Sequence, residues 1–144
     1  MRMALLVSVG LFALSACAST QRTLSYPATW PDADVMVGAE RYQVWFHETD
    51  RTLLIQRGEP RPLGQLLATN YTIYAVDSSA SEPVWRAAGD AVLGELGCAV
   101  TEVRGADQVR EASFACLSDV DVRPAVLVNR ERWRRGVLAA VPTP

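Results

Sequence analysis

Polar and apolar residues alternate from Arg41 to His47, putting Tyr42, Val44 and Phe46 on one face, and the run Thr52 to Arg57 carries Leu53, Leu54 and Ile55. Period-two patterning of this kind predicts two half-buried strands, joined as a hairpin through the polar stretch Glu48-Thr49-Asp50-Arg51. A register pairing His47 with Thr52 sets Val44 opposite Ile55 on the core side. Gly58, Pro60 and Pro62 then break the pattern, and Leu63, Leu66 and Leu67 allow one or two helical turns. Tyr71 to Val76 reads as a third strand ending in the turn residues Asp77-Ser78-Ser79.

The period changes at residue 82. Trp85, Ala88, Val92, Leu93 and Leu96 recur at helical spacing, Ser81 suits the N-cap, Pro83 sits in the tolerant first turn and Gly97 suits the C′ position. A helix over 82–96 follows, with that stripe facing the core. Cys98 to Arg104 and Arg110 to Leu117 form a second hairpin around residues 105–108. With the turn centred at Asp107, Val100 faces Phe114 and Cys98 faces Cys116. The segment Arg123 to Val128 adds a further strand, and Asn129 caps a final helix with Trp133, Val137, Ala140 and Val141 on one face, ended by Pro142-Thr143-Pro144. The expected fold class is α+β: a mainly antiparallel sheet of about five or six strands packed against one long helix, with a C-terminal helix.

Length and charge narrow the function classes. A chain of 144 residues accommodates one small domain, and 49% hydrophobic with 21% charged residues is an ordinary globular balance. Fourteen arginines, no lysine and sixteen carboxylates give a net charge of −2, so there is no overall electrostatic footprint for nucleic acid.

The start of the chain has a different character. Met1 and Arg2 precede a twelve-residue run, Met3 to Leu14, broken only by Ser8 and Gly10. As a helix it would span ~18 Å, short of the ~30 Å hydrocarbon core of a bilayer, which suits the h-region of a signal peptide. The run ends in Leu14-Ser15-Ala16-Cys17. This tetrad resembles the lipobox of bacterial lipoproteins, in which the cysteine becomes the new N-terminus and carries lipid on its sulfur and amine. The resemblance covers the export segment alone. It implies a signal peptide over 1–16, lipidation at Cys17, and a protein anchored to a membrane by acyl chains rather than spanning it. Ala18 and Ser19 follow the cysteine, and lack of an aspartate there resembles sorting to the outer membrane. Residues 17–34, polar with Pro27 and Pro31, read as the lipidated N-terminus and a flexible tether, 35–141 as a single domain, and 142–144 as a tail. Tyr26 and Trp30 within the tether are expected to pack on the domain's own surface. An exported domain meets an oxidising compartment, so the opposed Cys98 and Cys116 are expected to form a disulfide.

Candidate chemistry is sparse. The single histidine, His47, stands near Glu48 and Asp50, but neighbouring strand residues point to opposite faces and converge poorly on a metal. Cys98 and His47 would need a free thiolate, which a disulfide removes. Ser78, Ser79 and Ser81 lack a Gly-x-Ser-x-Gly elbow, and Gly89, Gly94 and Gly97 lie along a helix rather than at its phosphate-binding start, so no catalytic set, metal site or cofactor is expected. Asp119 and Asp121 form a carboxylate pair suited to a sugar bond or calcium, or to a solvated loop. Arg130, Arg132, Arg134 and Arg135, interleaved by Trp133, form the one basic cluster, suited to lipid headgroups, peptidoglycan carboxylates or an acidic partner. The sequence therefore reads as a non-enzymatic envelope lipoprotein that binds another envelope component through a sheet edge or the Arg-rich helix. A ligand-binding or inhibitor module and a small carboxylate-based hydrolase are the alternatives.

Overall fold

The computed structural model describes residues 22–65, 81–105 and 109–144. The signal-peptide segment, Cys17, the strand expected over 71–76, the turn serines Ser78 and Ser79, Leu66, Leu67 and the turn centre at Asp107 lie outside the described residues. The described chain is α+β, with a curled, six-stranded mixed sheet and helices on one face. In chain order the elements are β1 Ala33–Val37, β2 Glu40–Phe46, β3 Thr52–Arg57, α1 Glu82–Leu93, β4 Cys98–Arg104, β5 Val109–Cys116, α2 Arg123–Trp133 and β6 Val137–Leu138. The spatial order is β4-β5-β3-β2-β1-β6, antiparallel except for the parallel pair β1–β6.

The first expected hairpin is β2–β3, with Val44 opposite Ile55 and the His47 N–H donating to Thr52 O at 3.1 Å. One strand precedes it. Ala33, Val35 and Val37 alternate with Asp34 and Met36, and Gly38 at φ +63° supplies the left-handed residue that turns β1 into β2. Residue 34 is thus not the end of a tether, because β1 pairs along its whole length with β2 and at Val35 and Met36 with β6.

Helix α1 lays Trp85, Ala88, Gly89, Val92 and Leu93 on the sheet, tightens into a 3-10 turn over Gly94–Leu96 and stops at Gly97 in the left-handed conformation. Ser81 holds the N-cap position with extended backbone, yet its side chain makes no capping bond. Gly89 marks a close approach of helix and sheet: a Cβ there would sit 2.7 Å from Val100 Cγ2. Burying Trp85, Val92 and Leu93 completely stabilises the fold by ~1.5–3 kcal/mol each. The other sheet face carries a smaller cluster of Tyr26, Trp45, Leu54 and Leu63, so the chain over 22–31 and 58–65 covers the side that the helices leave open.

In the second hairpin Cys98 faces Cys116 and Val100 faces Phe114, as the spacing predicts, but a bulge after Val100 shifts the rest by one, pairing Glu102 with Ser113 and Arg104 with Glu111. Cys98 and Cys116 are joined by a disulfide, with Cα atoms 3.9 Å apart. β4 is an edge strand, and its outward groups at Val100 are taken by α1: the N–H donates to Asp90 Oδ1 and the carbonyl accepts Arg86 Nη1, both at 2.7 Å. Side chains and bulge together blunt this edge against strand addition.

The C-terminal expectations are corrected. Arg123 to Val128 is not a strand but the first half of α2, and Asn129 does not cap a helix: it lies inside α2, where its Nδ2 donates to Ala125 O. Pro124 is tolerated in a first helical turn and would break a sheet ladder, and Asp121 Oδ1 accepts the Arg123 N–H to start the helix. Gly136 at φ +120° ends it, so Val137 and Leu138 pair with β1 instead of extending the Trp133 face.

Candidate functional site

All strands but β6 share one well-defined end, formed by Ala33, Phe46, Thr52, Cys98 and Cys116. The hairpin turn over 47–51, the loop over 117–122 and helix α2 meet there around a cleft of about 340 Å³. It brings together residues that the sequence offers separately: His47, Glu48 and Asp50 from the turn, and Asp119 and Asp121 from the loop.

Each of these polar groups has a local partner. His47 Nδ1 accepts the Asp50 N–H at 3.0 Å and lies 3.3 Å from the Thr49 N, while Nε2 is 3.0 Å from Ser25 Oγ. Two N–H groups aimed at Nδ1 select the neutral Nε2–H tautomer, which donates to the serine. Asp50 pairs with Arg22 at 2.7 Å, and that guanidinium holds its carboxyl below the ordinary carboxylate range. Asp119 pairs with Arg51 at 2.9 Å, Arg123 lies 3.9 Å from Glu48, and Asp121 starts α2. Asp119 and Asp121 are therefore on one cleft but occupied with different tasks, an ion pair across the cleft and a helix start. Among the described residues, no group of three or more His, Cys, Asp or Glu side chains could hold a metal ion.

The basic cluster divides in the same way. Arg130 and Arg134, one helical turn apart, both grip the N-terminal segment: Arg130 bonds buried Asp32 at 2.7 Å, and Arg134 Nε donates to Pro31 O at 2.8 Å. Arg132 joins Glu95 at the end of α1, holding that carboxyl below its usual range, and Trp133 Nε1 donates to the same residue at 3.3 Å. Trp133 itself is fully buried, stacked on Phe46 with centroids 5.9 Å apart. Arg135 is exposed, the member of the cluster that remains directed to solvent.

Three residues outside the sequence candidates complete this end. Arg22 donates to Asp50, to Glu111 at 2.8 Å and to Thr52 at 2.9 Å. Tyr26 is buried against the His47 ring, its hydroxyl donates to Glu111 Oε2 at 2.9 Å and lies 2.7 Å from the Thr52 hydroxyl, and burial pushes its pKa up. Asp32 accepts both Arg130 and the Phe46 N–H. The chain over 22–32 is thus fastened to β2, β3, β5 and α2, which corrects the reading of 17–34 as one continuous tether. Trp45 Nε1 adds a bond to Thr29 O at 2.9 Å. Tyr26 packs on the domain as expected, whereas Trp30 stays half exposed.

No family model, no curated protein and no solved structure matches the chain. No helix among the described residues is long and apolar enough to cross a membrane.

Proposed function

We propose that the chain is a bacterial envelope lipoprotein, cleaved before Cys17, acylated there, held on the outer membrane facing the periplasm, and serving as a non-enzymatic accessory or assembly subunit for another envelope component. The observation that carries the reading is the apolar run ending in Leu14-Ser15-Ala16-Cys17. The Cys98–Cys116 disulfide supports export, because such a bond persists in an oxidising compartment. The engagement of His47, Asp50, Asp119 and Asp121 with their own neighbours supports a structural use of the cleft over a chemical one. The blunted β4 edge and the inward use of Arg130, Arg132 and Arg134 direct the search for a partner surface away from both places that the sequence favours.

Crosslinking in cells of the full-length, natively exported protein, with mass spectrometry of co-purified species and a Cys17→Ala control, tests the reading. A stoichiometric envelope protein lost in the control is expected. A retained glycan or small molecule with no protein partner would transfer the assignment to a binding module or hydrolase.

A further inference from the structure

The end of the sheet that holds Arg22 also gathers most of the exposed large apolar side chains. Leu24 and Trp30 lie on the N-terminal segment, Leu117 and Val120 on the loop after β5, and Leu127 and Val128 on the outer side of α2, with Leu117 at 96% and Val128 at 82% exposure. Only Leu138 and Val141, among the described residues of this kind, belong to the other side of β1. Solvated apolar groups collected at one end of a domain mark a surface meant to be covered.

The chain length says what covers it. Residues 18–21 are all that separates Cys17 from Arg22, and Arg22 is pinned to Asp50, Glu111 and Thr52. Fully extended, the path from Cys17 to Arg22 reaches at most ~18 Å. A domain of this size is ~35 Å across, so a leash of that length cannot let its far end reach the bilayer. We infer that this end, with Leu24, Trp30, Leu127 and Val128, rests on the phospholipid bilayer at the headgroup and acyl boundary. The inference depends on acylation of Cys17 as proposed above.

The chemistry of the surface suits lipid. Arg22 is paired with Asp50, Arg51 with Asp119 and Arg132 with Glu95, so the charges here are largely matched and docking proceeds by apolar insertion, insensitive to salt. Trp30 has the amphipathic ring that settles at membrane interfaces, and its backbone carbonyl is held by Arg134. The Gly38 turn then points away from the membrane and is presented to the periplasm.

Trp30 is also the reporter. It is 54% exposed, whereas Trp45, Trp85 and Trp133 are fully buried. The acylated protein, its lipid confirmed by intact mass, is reconstituted in phosphatidylcholine vesicles with and without brominated chains, and fluorescence is compared with that of Trp30→Phe. Docking is expected to make the Trp30 component quenchable by bromolipid, to remove its quenching by acrylamide, and to leave both unchanged in high salt. Leu24→Ser with Val128→Ser, at exposed positions, is expected to return acrylamide access. An acylated protein whose Trp30 stays open to acrylamide and blind to bromolipid overturns the docking while leaving the lipoprotein reading intact. Shielding found in native envelopes but not in pure lipid overturns it in favour of a protein partner. A protein without lipid on Cys17 overturns both.

Discussion

Replacing Asp32 by alanine strikes the point where the N-terminal segment, β2 and α2 meet. The residue is 3% exposed, and its carboxylate accepts the Phe46 N–H at 2.9 Å and Arg130 Nε at 2.7 Å. Alanine leaves a buried N–H and a guanidinium with 24% of its side chain exposed, both without acceptors. Removing one partner of a buried ion pair costs ~3–5 kcal/mol, and the partial solvation of Arg130 sets this case near ~3 kcal/mol. At ~4 °C per kcal/mol for a domain of this size, the melting temperature falls by ~12 °C. Asp32→Asn keeps one acceptor for the Phe46 N–H but turns its Nδ2 donor toward Arg130, so it loses the ion pair while sparing the backbone bond and costs less than alanine. Urea unfolding and thermal melts of the two variants measure the difference, and trypsin cleavage after Arg22 reports release of the segment. A melting temperature within ~2 °C of the parent for Asp32→Ala would refute the claim that this contact fastens residues 22–32.

Three other outcomes follow from the same structure. Reducing the Cys98–Cys116 bond, which closes a loop with a sequence separation of 18, lowers stability by ~3 kcal/mol in urea unfolding, and alkylation without reductant that labels both cysteines would contradict the bond. Gly89→Ala forces a methyl to 2.7 Å from Val100 Cγ2; overpacking of ~1–3 kcal/mol outweighs the ~1 kcal/mol gain in helix propensity, and adding Val100→Ala costs less than the sum of the singles, so strict additivity would contradict the close approach. Because Arg132 holds Glu95 below the ordinary carboxylate range, its contribution is fully present above that range and is lost as pH falls through the lowered value. Melts of the parent and Glu95→Gln therefore converge towards acid pH, and a gap that stays constant from pH 7 to 3 would count against the pairing.

The parts of the fold legible in the sequence are those fixed by short-range period. Alternation through Tyr42, Val44 and Phe46 gives the β2–β3 register, and a turn near 107 gives the Cys98 and Cys116 pairing, because period two admits no half-steps. The bulge after Val100 carries no side-chain signal of its own. Helix α2 was hidden by Val122, Val126 and Val128, whose β-branched side chains suit a strand, and its buried stripe amounts to Val126 and Trp133, seven residues apart. Pro124 after Asp121 and Gly136 beyond Trp133 were the available start and stop signals. The fastening of residues 22–32 was illegible for another reason. Its contacts are polar and join positions far apart, such as Arg22 with Glu111 and Pro31 with Arg134, and a polar segment gives no hydrophobic period to announce them. The cleft likewise forms only after the β2–β3 turn and the 117–122 loop are brought to one end of the sheet.

Anchoring through Cys17 is the claim on which location, orientation and partner class all rest, and the intact mass of the protein from its native membrane fraction addresses it directly. The account predicts a chain beginning at Cys17 that carries diacylglycerol on the sulfur and a disulfide between Cys98 and Cys116. A chain that retains residues 1–16, or one that begins at Cys17 with an unmodified thiol, would contradict it.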